Sequence, residues 1–357
     1  MNKKLIALAV AGATFAPAVM AQSANPVTLY GRVWMMVNSL KADGGAAGTA
    51  LSNRTTVGDG SSLIGFRGTE DLGGGLKAFF QIESLASPDS GGGSFASRNS
   101  GVGLQGGFGS VVIGRWDSPM KLSAIFVDPF GQNTIGGQNT VINLADFNRR
   151  EINSVQYWSP TVAGFSGRLM YGANELKTAT ANPHSLGFSL DYATGPFRVN
   201  YANQKHTDYR GSTVTAGVVE KMQNFSASAV FGPIRIAALT QKAKLSGLTD
   251  RKASEVSATY TVGKNQFHVN VARVKNGAAA VASTCVVTAT VACIQPESKL
   301  SALGYDYNFS KRTTLMARYA VIKNNGAAAV SLVDSNLPSF AIGNDPKGFG
   351  VGIRHTF

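Results

Sequence analysis

The chain has 357 residues, a formal net charge of +13 and a sequence pI near 9.8, yet only 15% of its residues are charged and its mean hydropathy is +0.01. After the N-terminal stretch no segment approaches the ~20 continuous apolar residues of a spanning helix, which excludes a helical membrane protein. Apolar residues instead recur singly, at every second position, in segments of about 10 residues, the pattern of a transmembrane β-barrel whose lipid-facing and lumen-facing side chains alternate.

The N-terminus reads Asn2-Lys3-Lys4, then an apolar run from Leu5, then Val19-Met20-Ala21 before Gln22. A basic start, a short apolar run and a small-residue cleavage site predict a secretory signal over residues 1–21. A membrane anchor is the alternative, but the run is short and no stop-transfer pattern follows. The barrel domain is expected over residues 22–357.

Residues 27–36 set the pattern: Val27, Leu29, Val33 and Met35 share one face, and Thr28, Tyr30, Arg32 and Trp34 the other. A loop is expected over 38–59. In residues 62–70, Ile64 and Phe66 point out, and Leu63, Gly65 and Arg67 point in. After the turn Asp71–Gly74, residues 76–83 put Leu76, Ala78, Phe80 and Ile82 toward lipid, and Lys77, Phe79, Gln81 and Glu83 inward. Period 2 with opposite chemistry on the two faces predicts strands, not helices. Further strands are expected near 97–106, 109–116, 150–159, 164–173, 184–194, 196–206, 221–231, 233–242, 253–262, 265–275, 298–309, 312–323 and 347–357, about sixteen in all. The connections alternate between short turns and longer loops, the latter near 38–59, 86–96, 117–149, 174–183, 207–220, 243–252, 276–297 and 324–346. Outer-membrane barrels are built this way, with the long loops outside the cell. The even count places both termini at the periplasmic end, and backbone hydrogen bonding in lipid demands closure. The loop over 117–149 is too long to be an ordinary connection; the expectation is that it folds inward and narrows a pore.

Nothing points to an enzyme. His184, His206, His268 and His355 are scattered, and no catalytic triad order, phosphate-binding loop or HExxH spacing appears. No cofactor or metal is expected. A basic protein can bind nucleic acid, but here the basic residues are spread along strands at lumen parity in an exported chain, so no nucleic-acid partner is expected. Cys285 and Cys293 stand eight apart in an Ala/Thr-rich stretch. Export to an oxidising compartment favours a local disulfide closing that loop.

With SLIGFRGTEDLGGGLKAFFQIES, GGFGSVVIGRWDSP, REINSVQYWSP, YDYNFSKRTTLMARY and the terminal GVGIRHTF in view, the chain resembles the trimeric outer-membrane porins of the beta-proteobacterial type. The blocks match in order over the whole chain beyond residue 21. The resemblance implies an all-β, 16-stranded antiparallel transmembrane barrel with a long constriction loop in its lumen, a homotrimer, and passive diffusion of small hydrophilic solutes with anion preference. Outer-membrane lipid and lipopolysaccharide would surround it. By the same resemblance Arg98 and Arg150 take the places of two wall arginines, and Glu83 that of a wall carboxylate. Parity supports Arg150, which shares its face with Ser154 and Gln156; Arg98 rests on resemblance alone. A third arginine usually stands where this chain has Leu63, and Arg67, on the same face, partly compensates. Arg115 and Asp128 are weaker constriction candidates.

Lumen-parity cations outnumber anions in this reading: Arg32, Arg67, Lys77, Arg150, Arg168, Arg198 and Arg318 against Glu83, Asp191 and Asp306. A narrow aqueous pore in low-dielectric walls focuses such a field and concentrates anions. The expected function is a passive pore favouring carboxylates, phosphate and chloride. The plain alternative for single arginines is that they keep the lumen wet, and Lys77 lies near a turn, in the vestibule. A substrate-specific channel with a saturable anion site, and a surface-binding or adhesin barrel, are the other function classes. The lack of an aromatic track and of loop repeats speaks against both.

Overall fold

A computed structural model describes residues 27–45, 50–142, 147–210, 213–247, 250–276, 297–325, 328–332 and 342–357. The expected signal (1–21) and the two cysteines lie outside the described residues. One antiparallel sheet closes on itself into a barrel of sixteen strands. These are β1 (Thr28–Gly44), β2 (in two segments, Leu51–Asp59 and Leu63–Gly73), β3 (Leu76–Ser87), β4 (Ser100–Gly106), β5 (Gly109–Asp117), β6 (Arg150–Trp158), β7 (Phe165–Gly172) and β8 (His184–Thr194). There follow β9 (Phe197–Arg210), β10 (Thr213–Phe231), β11 (Ile234–Lys244), β12 (Arg251–Val262), β13 (Asn265–Asn276), β14 (Glu297–Asn308), β15 (Thr313–Asn324) and β16 (Asn344–Thr356). A three-residue segment, Gly92–Ser94, adds a small flap on β3.

Closure runs through β1 and β16, with Arg32 opposite Thr356 and Gly44 opposite Asn344, and the Gly31 and Phe357 backbones exchange hydrogen bonds. No edge is left in lipid, where each unpaired backbone group costs several kcal/mol. The two segments of β2 both pair with β1. They are separated where Gly60 lies against the Trp34 ring; a Cβ there would come within 2.5 Å of it. The hydroxyl of Ser62 accepts from the Trp34 backbone N–H at 2.8 Å, so the ladder steps around the indole without an orphaned donor.

Two expected loops are mostly strand. Residues 38–44 form the end of β1 and 51–59 the first segment of β2, while 207–210 and 213–220 lie in β9 and β10. The reason is an inversion of chemistry along the strands. Near the turns the apolar residues face out. Toward the other end of β1 the outward positions are Ser39, Lys41 and Asp43, while Leu40 and Ala42 are fully buried inside. A hydrophobic core therefore lies within this part of the barrel, and a search for outward apolar alternation stops too early.

What fills that space is the segment between β5 and β6, residues 118–149. It is not a featureless loop. Helix α1 (Pro119–Ile125) opens with Ser118 as its N-cap, whose hydroxyl accepts from Lys121 N, and with Pro119 in its first turn, where the missing N–H costs nothing. A second turn, α2 (Asn139–Ile142), packs toward β12, β13 and β14. The segment buries Met120, Ala124, Val127, Phe130, Ile135, Ile142 and Phe147 against inward residues such as Leu40, Met222, Leu300 and Ile322.

Candidate pore constriction

The inward segment is fastened to the wall by polar side chains that point into the lumen. Ser226 and Asn224 on β10 donate to the Ser123 carbonyl and hydroxyl, at 2.7 and 2.9 Å. Ser257 on β12 donates to the Val127 carbonyl, Asn270 on β13 to the Gly136 carbonyl, and Arg235 on β11 to the Phe126 carbonyl. On the opposite wall Asn133 donates to the hydroxyl of Ser61, in the break between the two segments of β2. The segment thus crosses the lumen. Its tip needs close approaches. Gly131 has φ +74° and presses on Trp34, where a Cβ would sit 2.6 Å from the ring. Phe130 occupies the space left by Gly304, where a Cβ would lie 2.8 Å from the phenyl ring.

The expected wall residues meet on β3, on the segment before β4, and on β6. The Arg98 guanidinium pairs with the Glu83 carboxylate, whose second oxygen accepts from Tyr30 Oη at 3.2 Å. The Arg98 backbone N–H also donates to the Glu83 carbonyl at 3.0 Å, which fixes Arg98 although its local sequence alternates poorly. Arg150 Nε lies 3.1 Å from Asn99 Oδ1 and 3.3 Å from Asp117 Oδ1. Asp117 in turn holds Lys121 Nζ at 2.9 Å and accepts from Asn99 Nδ2 at 2.8 Å. Arg98, Arg150, Lys121, Glu83 and Asp117 therefore form one half-buried network at the root of the inward segment. Burial lowers the Lys121 ammonium pKa, against the pull of Asp117. Asp117, Asn99 and Lys121 escaped the sequence reading. The i, i+4 spacing of Asp117 and Lys121 was visible, but only a helix start at Ser118 would have made it a contact.

Leu63 is buried at lumen parity, directly opposite Arg32. Arg32 Nε donates to the Ser61 carbonyl at 2.9 Å, and its guanidinium stacks on Trp34 at 5.6 Å, with Arg354 of β16 at 5.2 Å from the same ring. Arg354 and Arg235 are further inward arginines that the sequence reading missed; Arg235 sits between the outward Ile234 and Ile236, and Arg354 beside the outward Ile353, which was the available signal. Arg67 stacks on Tyr30 at 5.0 Å, adjoining Glu83 through that tyrosine. Arg168 stacks on Trp158 at 5.0 Å, and Trp116 lies 5.2 Å from that ring. Lys77 stands at the turn end with Gln105, Ser110 and Trp158 around a shallow recess.

Two expected positions, Asp128 and Arg115, face elsewhere, and two at lumen parity, Arg318 and Arg198, are neutralised by carboxylates. Asp128 turns to the wall: its oxygens accept from Phe130 N and Gln138 N, and its burial beside Glu255 pushes the carboxyl above the ordinary range. It ties the segment's own turn. Arg115 pairs across the ladder with Ser100 and shares the parity of Val111 and the exposed Ile113, on the outward side. Arg318, fully inside, is neutralised by Asp306 and covered by Phe130. Arg198 is held by Asp191 at 2.8 Å.

With this geometry in view, comparison with known proteins is direct. The Gram-negative porin family profile matches residues 7–327. Outer membrane porin protein 32 of Delftia acidovorans is 32% identical over the whole of both chains, and the major outer membrane protein P.IB of Neisseria lactamica is 27% identical, again over the whole of both. The solved anion-selective porin from Comamonas acidovorans superposes with TM-score 0.78 at 29% identity, covering 93% of this chain and 100% of that one. The trimer form of OmpT from Vibrio cholerae, at 18% identity, 93% and 99% coverage and TM-score 0.69, shares the fold. The chain belongs to the Gram-negative porin family, an outer-membrane diffusion pore and not an enzyme.

Proposed function

We propose that the pore favours small anions, and that the selectivity is set where Lys121 of the inward segment meets Arg98 and Arg150 of the wall. The observation that carries this is the charge imbalance at the network. Three cations share Glu83 and Asp117, while Arg32, Arg67 and Arg354 stand nearby on aromatic rings with no carboxylate within ion-pair distance among the described residues. Cation–π contact holds a guanidinium in place without neutralising it. In a narrow low-dielectric channel the residual field attracts carboxylates and phosphates, which arginine binds through its planar fork. A leucine at position 63 removes one cation from β2, and Arg32 directly across the ladder supplies one in its stead. The name of the Comamonas relative, an anion-selective porin, supports the same reading.

Further parts of the reading are that residues 1–21 are removed on export, that the end carrying the longer loops faces outside, and that the protein works as a homotrimer. Uptake into proteoliposomes is the test. Among solutes of matched size, a monocarboxylate is expected to enter faster than the corresponding cationic amine, without saturation. Saturation by one solute would favour a substrate-specific channel instead.

A further inference from the structure

The lumen wall at the short-turn end carries an aromatic strip that the constriction does not use. One inward row crosses five strands in direct register. Lys77 on β3 is opposite Gln105 on β4, and Gln105 opposite Ser110 on β5. Ser110 is opposite Trp158 on β6, and Trp158 opposite Arg168 on β7. A cation therefore stands at each end of the row, with an amide, a hydroxyl and an indole between them. In the next inward row Phe79 is opposite Gly103. The Phe79 ring lies over that glycine, where a Cβ would come within 2.5 Å of it.

Gly103 and Ser110 are small, so rings anchored three strands apart can meet. The Phe79 and Trp158 centroids are 6.4 Å apart at 31°, although strands spaced ~4.8 Å separate their backbones by about 14 Å. Trp116, displaced by the irregularity after Gly114, adds a third ring 5.2 Å from Trp158. These residues are far apart in sequence, so no aromatic track is visible there; the ladder assembles it. All three rings stay half-buried, not covered. Contiguous apolar surface left open to water marks a place where something binds.

The two cations are not neutralised. Among the described residues no carboxylate lies within 4.0 Å of the Lys77 ammonium or the Arg168 guanidinium. Asp71, across the ladder from Lys77, accepts from Gly73 N at 2.9 Å, and Asp191, on the strand beside Arg168, is held by Arg198 at 2.8 Å. Arg168 lies 5.0 Å from the Trp158 centroid, and Trp158 Nε1 donates to Gln156 Oε1 at 3.2 Å, so the indole is fixed in place. Trp158 also borders a recess of about 480 Å³, with Lys77, Gln105 and Ser110 among its other lining residues. That volume is in the range of small-ligand pockets.

We propose that this recess is a binding site for aromatic carboxylates of the benzoate class. The solute's ring stacks on the strip formed by Trp158 and Phe79, and its carboxylate accepts from Lys77 Nζ. Arg168, seated on the indole, adds to the positive field. The constriction at Arg98 and Arg150 discriminates by charge; the recess retains those anions that carry a ring. It stands on the wall beside the path, so aliphatic carboxylates still pass without saturation. Delivery of the solute through the pore rests on the anion preference proposed above, but binding itself does not.

The test uses the purified full-length protein in detergent and ligand-observed saturation-transfer NMR. The probes are benzoate, cyclohexanecarboxylate (the same charge without a π face) and benzamide (the same ring without the charge). The benzoate Kd is expected to rise about tenfold in Trp158→Leu and about fivefold in Lys77→Gln, and Lys77→Arg should restore it. Each analogue is expected to bind about fivefold more weakly than benzoate. Equal affinity for either analogue, or unchanged benzoate affinity in Trp158→Leu, would overturn the proposal. So would a loss in Arg150→Ala with none in Trp158→Leu, which would move the site to the constriction. Reversal potentials on the same proteins separate the two readings: a cation-preferring pore that still binds benzoate through Trp158 and Lys77 contradicts the anion preference and supports this site. If Trp158→Leu gives no folded band in unheated gel samples, Lys77→Gln and the wild-type comparison of benzoate with cyclohexanecarboxylate decide the matter, and the absence of a difference in either overturns the proposal.

Discussion

Phe130→Ala should loosen the inward segment without opening the barrel. Phe130 has no exposed surface; it lies in the gap left by Gly304, beneath the Arg318 guanidinium at 5.2 Å and edge-on to His268 at 6.0 Å. Truncating a buried phenylalanine costs about 3–5 kcal/mol when the site does not collapse. The side chain belongs to the segment and most of its surroundings to β13–β15, so the cost falls on the attachment, not on the ladder. The hydrogen bonds from Ser257 and Asn270 remain, worth about 1 kcal/mol each. A loss of about 4 kcal/mol raises the detached fraction by roughly a thousandfold, at 1.4 kcal/mol per tenfold. Single-channel recordings in planar bilayers should show the effect as excess open-channel noise and a broadened conductance distribution. Limited proteolysis should cut within 118–149, while the folded band in unheated gel samples persists. Wild-type noise and wild-type protease resistance in a correctly folded Phe130→Ala protein would refute the idea that this contact holds the segment.

Other outcomes follow from the same network. Asp117→Asn removes the carboxylate shared by Arg150 and Lys121; the anion-to-cation permeability ratio is expected to rise several-fold at low salt, read from reversal potentials. Glu83→Gln frees Arg98 and should act in the same direction, with a smaller change because Tyr30 keeps a hydrogen-bond partner there. Gly131→Ala forces a side chain into positive φ against Trp34; a cost of about 1–3 kcal/mol should lower the heat stability of the inward segment's protease protection. Selectivity itself should fade between 0.1 M and 1 M salt, as the Debye length shrinks from about 10 Å to 3 Å; a ratio independent of salt would point to size and not charge.

The barrel was legible because lipid imposes one rule on every strand. Val33, Ile64, Val256 and Leu303 had to alternate with residues of another kind, and they do. Legibility ended where lipid ends. Leu40, Met222 and Leu300 are apolar and inward, packed against the inward segment, and Ser39 and Lys41 are polar and outward; at the end of β1 the alternation thus has the opposite sign, and 38–44 read as loop. The length of 117–149 marked it as unusual, but its turns depend on contacts distant in sequence, such as Gly131 with Trp34 and Asn133 with Ser61. The wall residues divide in the same way. Arg150 and Glu83 follow from parity. Arg98 sits where alternation fails, so only its bond to Glu83 places it. Asp128 carries the right charge in the right segment, yet its partners are the backbone N–H groups of its own turn. Arg318 and Arg198 have lumen parity and are neutralised by Asp306 and Asp191, a pairing that parity alone does not reveal.

The most direct test of an anion-favouring constriction is the reversal potential across a tenfold potassium chloride gradient, measured on reconstituted wild-type protein and on Arg98→Ala and Arg150→Ala. The account predicts a potential on the chloride side for wild type, moved toward zero in each variant, and further in the double variant. A wild-type potential on the potassium side, or variants that leave a chloride-side potential unmoved, would contradict it.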